Sequence, residues 1–179
     1  MEATIGFDLR SAVSDPSWTA DRRIRHLLRR DVASVRSVDP TAWVRPPGLP
    51  PAPDPAWLGL WPDLSDLLAA SHAVDHAAAV TVRITALEDD GQAWESAGPT
   101  SARQDLLGYD VADCDLLSGL ANCGYTPQEA ASLTPPWAPL LNEWHLFGNV
   151  ADATAFAAVT AARVPEHAPF YVYGIYQLS

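Results

Sequence analysis

Lysine is absent from the 179 residues, and the eleven basic side chains, all arginine, face twenty-two carboxylates for a net charge of −11. With a pI near 4.6, bulk attraction to nucleic acid or to an anionic lipid surface is disfavoured. Cysteine is scarce: Cys114 and Cys123 are the whole set. They are too few for a disulfide framework and lack the paired spacing of a zinc site, so two free thiols in a reducing compartment are expected. No apolar run approaches the roughly 18 residues of a membrane span. Met1-Glu2-Ala3-Thr4-Ile5 carries an acid where an export signal needs positive charge, so the expected location is the cytoplasm. The missing lysine, beside abundant Ala, Arg and Pro, points to a GC-rich bacterial genome. No internal repeat is visible.

What is present indicates a folded domain. Apolar residues make up 48% of the chain and include seven tryptophans, which excludes disorder, collagen and coiled coil. A chain of this length buries about 70% of its unfolded surface and forms one cooperative domain. Charge divides it unevenly. Residues 1–45 hold eight Arg against six acids, and residues 46–179 hold three Arg against sixteen. Between the two lies Arg45-Pro46-Pro47-Gly48-Leu49-Pro50-Pro51-Ala52-Pro53-Asp54-Pro55, whose prolines favour an extended strap. The expected organisation is a docked N-terminal arm over 1–45, a Pro-rich connector over 46–56, and a main body over 57–179. Trp43, Trp57 and Trp61 are placed to pin the strap.

Ala3, Ile5, Phe7 and Leu9 alternate with polar residues, as do Val80, Val82, Ile84 and Ala86, the two-residue period of a strand with one buried face. Phe170 to Leu178 is apolar on both faces, as expected of a strand inside a covered sheet. Helices are predicted over Asp21–Arg36, with arginines on one face, and from Asp63 to about Val74, burying Leu64, Leu67 and Leu68. A third follows the capping box Thr126-Pro127-Gln128-Glu129 and is stopped by Pro135-Pro136. A fourth is capped by Asn149, with Asp152 and Arg163 matching its dipole and Phe156 and Val159 facing inward. The interleaving is too irregular for a βαβ repeat. The expected class is α+β, with a mostly antiparallel sheet covered by several short helices.

Four constellations carry chemistry-bearing side chains. His72, Asp75 and His76 share a helical face and resemble a metal-ligand set, although the same spacing suits a helix C-terminus. Asp110, Asp113 and Asp115 gather three carboxylates in six residues. They fit an acid/base pair, but Asp110 and Asp113 read more naturally as turn or N-cap residues ahead of Leu116, Leu117 and Leu120. Cys123 and His145, with Glu143 nearby, are the residue types of a cysteine hydrolase. Asp115–Asn122 and Pro127–Leu133 outline a helix-turn-helix, but no Arg or Lys occurs from Gln104 through Ala162 while seven carboxylates do, so nothing there would hold phosphates.

The leading expectation is a non-enzymatic, acidic protein-binding module, an immunity- or inhibitor-type antagonist of a basic, nuclease-like protein. Its aromatic anchors Tyr125, Trp137 and Trp144 stand among Asp110, Asp113, Asp115 and Glu143. The alternative is a small hydrolase-like enzyme using His145 with Asp110, Asp113 or Cys123. No cofactor is expected under either reading.

Overall fold

The computed structural model describes residues 2–12, 43–44, 48–52, 60–74, 80–87, 97–98, 100–114, 118–119, 136–142, 144 and 146–179. The alternating segment at the start of the chain is strand β1 (Glu2–Ala12), with Ile5, Phe7 and Leu9 buried as their period predicts. It is followed by the two-residue strand β2 (Trp43–Val44), helix α1 (Leu64–Ala70) and strands β3 (Val80–Leu87) and β4 (Gln104–Ala112). Helix α2 (Val150–Arg163) and strand β5 (Tyr171–Leu178) complete the order. The class is α+β. Four strands run β1-β3-β5-β4, antiparallel throughout, and β2 adds to the outer edge of β1. The C-terminal strand β5 is interior, as its two-sided apolar pattern implies.

Both helices begin at side-chain caps. The Asp63 carboxylate accepts the Ser65 and Asp66 N–H groups of α1, and the Asn149 side chain accepts the Asp152 N–H of α2. Helix α1 is shorter than its pattern suggests: it ends at Ala70, Leu67 alone is fully buried, and Leu68 is 47% exposed. Helix α2 matches its prediction, with Phe156 buried and Val159 packed on the same cluster. Pro136 and Trp137 are helical and pass directly into a 3-10 turn, Ala138–Leu140. The predicted helices Asp21–Arg36 and Thr126–Leu133 lie outside the described residues.

Helix α2 packs over Val111 and Val172, which are paired across β4 and β5, while α1 covers Phe7, Leu9 and Leu178. Val172 and Leu178 lie an even number of residues apart on β5, so both helices share one face of the sheet. On the other face Tyr173, Ile175 and Ala86 are buried with Ile5, Leu60 and Leu146.

The backbone contains an internal repeat that the sequence conceals. Ile5-Gly6-Phe7-Asp8-Leu9 on β1 matches Leu107-Gly108-Tyr109-Asp110-Val111 on β4. Each outer strand has a register shift just before its glycine, Thr4/Gly6 on β1 and Leu106/Gly108 on β4. Beyond the shift, Gly6 pairs with Ile84 and Gly108 with Ile175, and the flanking pairs follow in the same order. Phe7 exchanges two backbone hydrogen bonds with Trp61, both 2.8 Å, and Tyr109 exchanges two with Phe147, both 2.9 Å. Those partners sit in Leu60-Trp61-Pro62-Asp63 and Leu146-Phe147-Gly148-Asn149, each leading into its helix through its cap. Asp8 and Asp110 each accept the next residue's N–H, at 2.9 and 2.8 Å. Strands β3 and β5 meet antiparallel with Ile84 opposite Ile175, so an approximate two-fold axis perpendicular to the sheet passes between these two residues.

Each glycine admits its incoming segment. A Cβ at Gly6 would stand 2.6 Å from Leu60 Cβ, and one at Gly108 would stand 2.6 Å from Leu146 Cβ and 2.9 Å from the Phe147 carbonyl oxygen. Gly108 also has φ +150°, a conformation that a side chain strains.

Candidate functional site

Among the described residues, a group of titratable side chains lies where β4 ends against the link from α2 to β5. Asp110 is not in a turn or at a helix cap, as the sequence suggests, but inside β4, opposite Tyr173 and fully buried. Its Oδ1 accepts the Val111 N–H at 2.8 Å and the Ser118 hydroxyl at 2.9 Å, so the carboxylate is spent on holding the chain beyond β4 against the strand. Ser118 also bridges Ala112 through the backbone. The reason for the different placement is the bulge: a two-residue pattern interrupted at Leu107 does not read as a strand.

Asp113, one residue past β4, is 3% exposed. Its Oδ2 lies 3.1 Å from Nδ1 of His167, in the short 3-10 turn Pro165–His167 that leads from α2 into β5. The histidine side chain is 31% exposed against 4% for the aspartate. An imidazole held at Nδ1 by a buried carboxylate is in the tautomer-fixing arrangement of a general base or acid. Tyr173 completes the group by donating its hydroxyl to the Asp113 carbonyl at 3.0 Å. Burial, and then the charges of Asp113, Cys114, Tyr171 and Asp110, push the Tyr173 phenol well above the usual tyrosine range. It stays neutral and serves as a donor. Cys114 is exposed and forms no disulfide among the described residues.

The structure therefore sets Asp110 against Ser118 and Asp113 against His167, partners that the sequence does not single out. Two hints were available: the match of Asp110 to Asp8 marks it as a strand residue, and prolines at 165 and 169 enforce a sharp connection that returns His167 to the sheet. Cys123, His145, Asp115, Tyr125 and Glu143 lie outside the described residues, as do Asp75 and His76. His72 is exposed at the end of α1, with Nδ1 2.9 Å from the Ala69 carbonyl, the helix-terminal role. Among the described residues no three His, Cys, Asp or Glu side chains gather to hold a metal.

Trp137 is half-buried, edge-on to Phe147 and Phe156 with centroids at 6.3 and 5.3 Å. Trp144 is half-buried against the Tyr173 side of the sheet, its N–H donated to Asn142 Oδ1 at 2.9 Å. Both tryptophans pack on the body while keeping part of their surface in solvent. Among the described residues no helix is long and apolar enough to cross a membrane. No protein-family model matches the chain, and comparison with curated proteins and with solved structures finds no match to it.

Proposed function

We propose that this chain is a non-enzymatic acidic protein-binding module that antagonises a basic, nuclease-like protein. The observation that supports the reading is where the charge stands. Asp63, Asp66, Asp105 and Glu166 are exposed, whereas Asp110 and Asp113 are consumed by internal hydrogen bonds. A rigid body of strongly negative net charge steers a basic partner, and half-exposed Trp137 and Trp144 supply contact area. The setting is a bacterial cytoplasm. The partner is a basic protein, not nucleic acid or a membrane.

The test is capture of the full chain from its native lysate at low and moderate salt, with the co-purifying protein identified by mass spectrometry. One basic protein in near-stoichiometric amount, released as salt rises, is expected. A chain that emerges bare at low salt overturns the reading.

A second reading is favoured by the Asp113–His167 pair: a small enzyme with His167 as the general base. His167→Gln decides between the two. A binding module keeps its activity in cells, while an enzyme loses orders of magnitude with its fold unchanged.

A further inference from the structure

The approximate two-fold axis is broken at the residues that flank it. On the helix-bearing face, Arg83 occupies the position that Gly174 holds in the other half, and Tyr176 the position of Thr85. Register carries one row across the sheet through Phe7, Arg83, Tyr176 and Leu106. Phe7 is fully buried in the cluster under α1, Arg83 and Tyr176 are half-exposed, and Leu106 is 43% exposed. Burial thus falls away from β1 toward β4, so that Tyr176 and Leu106 expose apolar surface beside the guanidinium of Arg83.

The guanidinium is fixed but not neutralised. Its carbon lies 4.5 Å from the centroid of the Tyr176 ring, and Nη1 donates to Thr4 Oγ1 at 3.2 Å. Its Nε is buried and has no acceptor. Among the described residues no carboxylate pairs with Arg83, although acids outnumber bases two to one in the chain. Exposed Arg103, in contrast, is held 3.2 Å from Asp105. Buried Nε is out of a ligand's reach, so the donor capacity that an anion can take up is that of the half-exposed end of the guanidinium.

We propose that Arg83, Thr4, Tyr176 and Leu106 form a binding site for a small organic carboxylate with an apolar or aromatic body. The carboxylate lies against the half-exposed end of the guanidinium, and the body rests on Tyr176 and Leu106. A phosphate dianion is the poorer fit, because a single arginine with one hydroxyl in a chain of charge −11 offers too little positive charge and Leu106 nothing polar. The site is independent of the Asp113–His167 group and of the antagonist reading.

Sodium benzoate is the probe, titrated into the isotope-labelled full chain at constant ionic strength and followed by amide chemical shifts. Saturable shifts centred on Thr4, Arg83, Leu106 and Tyr176 are expected, with benzamide binding at least tenfold more weakly. Arg83→Gln should weaken benzoate at least tenfold while the remaining spectrum reports an intact fold, and Arg83→Lys should retain part of the affinity. If Arg83→Gln does not fold, Leu106→Ser, at an exposed position, should still weaken benzoate severalfold. Absence of saturable shifts in the wild type overturns the site. So does equal binding of benzamide, or unchanged affinity in Arg83→Gln. Inorganic phosphate binding more tightly than benzoate overturns the carboxylate assignment.

Discussion

Ile84 and Ile175 face each other across the β3–β5 ladder, and each also stands opposite a glycine on its own outer strand, Gly6 for the first and Gly108 for the second. The pair marks the centre of a sheet built twice from one plan: a bulged outer strand, a Leu-aromatic segment bridged to it, a capped helix, and an inner strand returning antiparallel. Such a plan ties edge to core. The outer edges of β1 and β4, which would otherwise present free backbone groups, are closed at Phe7 and Tyr109 by the segments that lead into the helices.

The two glycines should therefore resist substitution while a third does not. Gly108→Ala combines a 2.6 Å approach to Leu146 Cβ with a strained φ, and a loss on the order of 3 kcal/mol is expected. Gly6→Ala meets Leu60 Cβ at 2.6 Å without a strained φ and should lose about 1–3 kcal/mol. Nothing lies within 4 Å of a Cβ at Gly148, and Gly148→Ala should stay within about 0.5 kcal/mol of wild type. Urea unfolding midpoints rank the three, and a neutral Gly108→Ala would contradict the close packing of β4 on Leu146.

Sequence periodicity was informative where strands are unbroken and blind where they bulge. The period-two pattern located β1 and β3, and the apolar run located β5. β4 was not anticipated, because Gln104-Asp105-Leu106-Leu107-Gly108-Tyr109-Asp110 changes phase at the bulge and its two adjacent leucines break the alternation. Without β4, Asp110 reads as a turn residue and its match to Asp8 stays hidden. His167 was equally hidden: its partner lies 54 residues away, and only the antiparallel return of β5 beside β4 brings the two together. Caps were legible because they are local: Asp63 and Asn149 announce their helices within four residues.

Tyr173 predicts how the protein responds to alkali. Its phenol is buried and its folded pKa lies above the unfolded value near 10. Above about pH 10 the unfolded chain has released this proton and the folded chain has not, so stability falls as pH rises. The contribution is complete below pH 10. Tyr173→Phe should flatten the alkaline limb of the stability curve, while at neutral pH it leaves the Asp113 carbonyl without this donor and loses about 1 kcal/mol. An alkaline limb identical in the two proteins, measured by thermal unfolding between pH 8 and pH 11, would remove Tyr173 as its source.

His167 and Asp113 hold the α2–β5 link to the end of β4. His167→Ala takes a donor from a carboxylate that is 3% exposed, and a loss of about 1–2 kcal/mol is expected, the partly exposed histidine keeping it below the value for a fully buried pair. Hydrogen exchange should show the loss locally, with faster exchange at Phe170 to Val172 and at Val111 to Asp113 and little change along β1. Uniform acceleration across the sheet would mean that the pair is not a local tie.

The two helix caps, equivalent by the repeat, should differ in acid. Asp63 is held below the usual carboxylate range by the Ser65 hydroxyl first and then by the Ser65 and Asp66 N–H groups. Its folded pKa is therefore lower than its unfolded pKa, so its contribution is present above about pH 4 and is lost as pH falls through the folded value. Asn149 does the same structural work with an amide that does not titrate. Asp63→Asn should keep α1 capped at neutral pH and remove its share of the acid sensitivity, whereas Asn149→Asp replaces the amide that donates to Asp152 Oδ2 at 2.6 Å with a second carboxylate and should destabilise α2 at neutral pH, the repulsion easing as pH falls. Asn149→Ala should lose about 1 kcal/mol at every pH. Thermal unfolding of the three variants between pH 2.5 and pH 7 checks the set. An Asp63→Asn protein that destabilises in acid along the wild-type curve would show that other carboxylates, not this cap, set the acid limit.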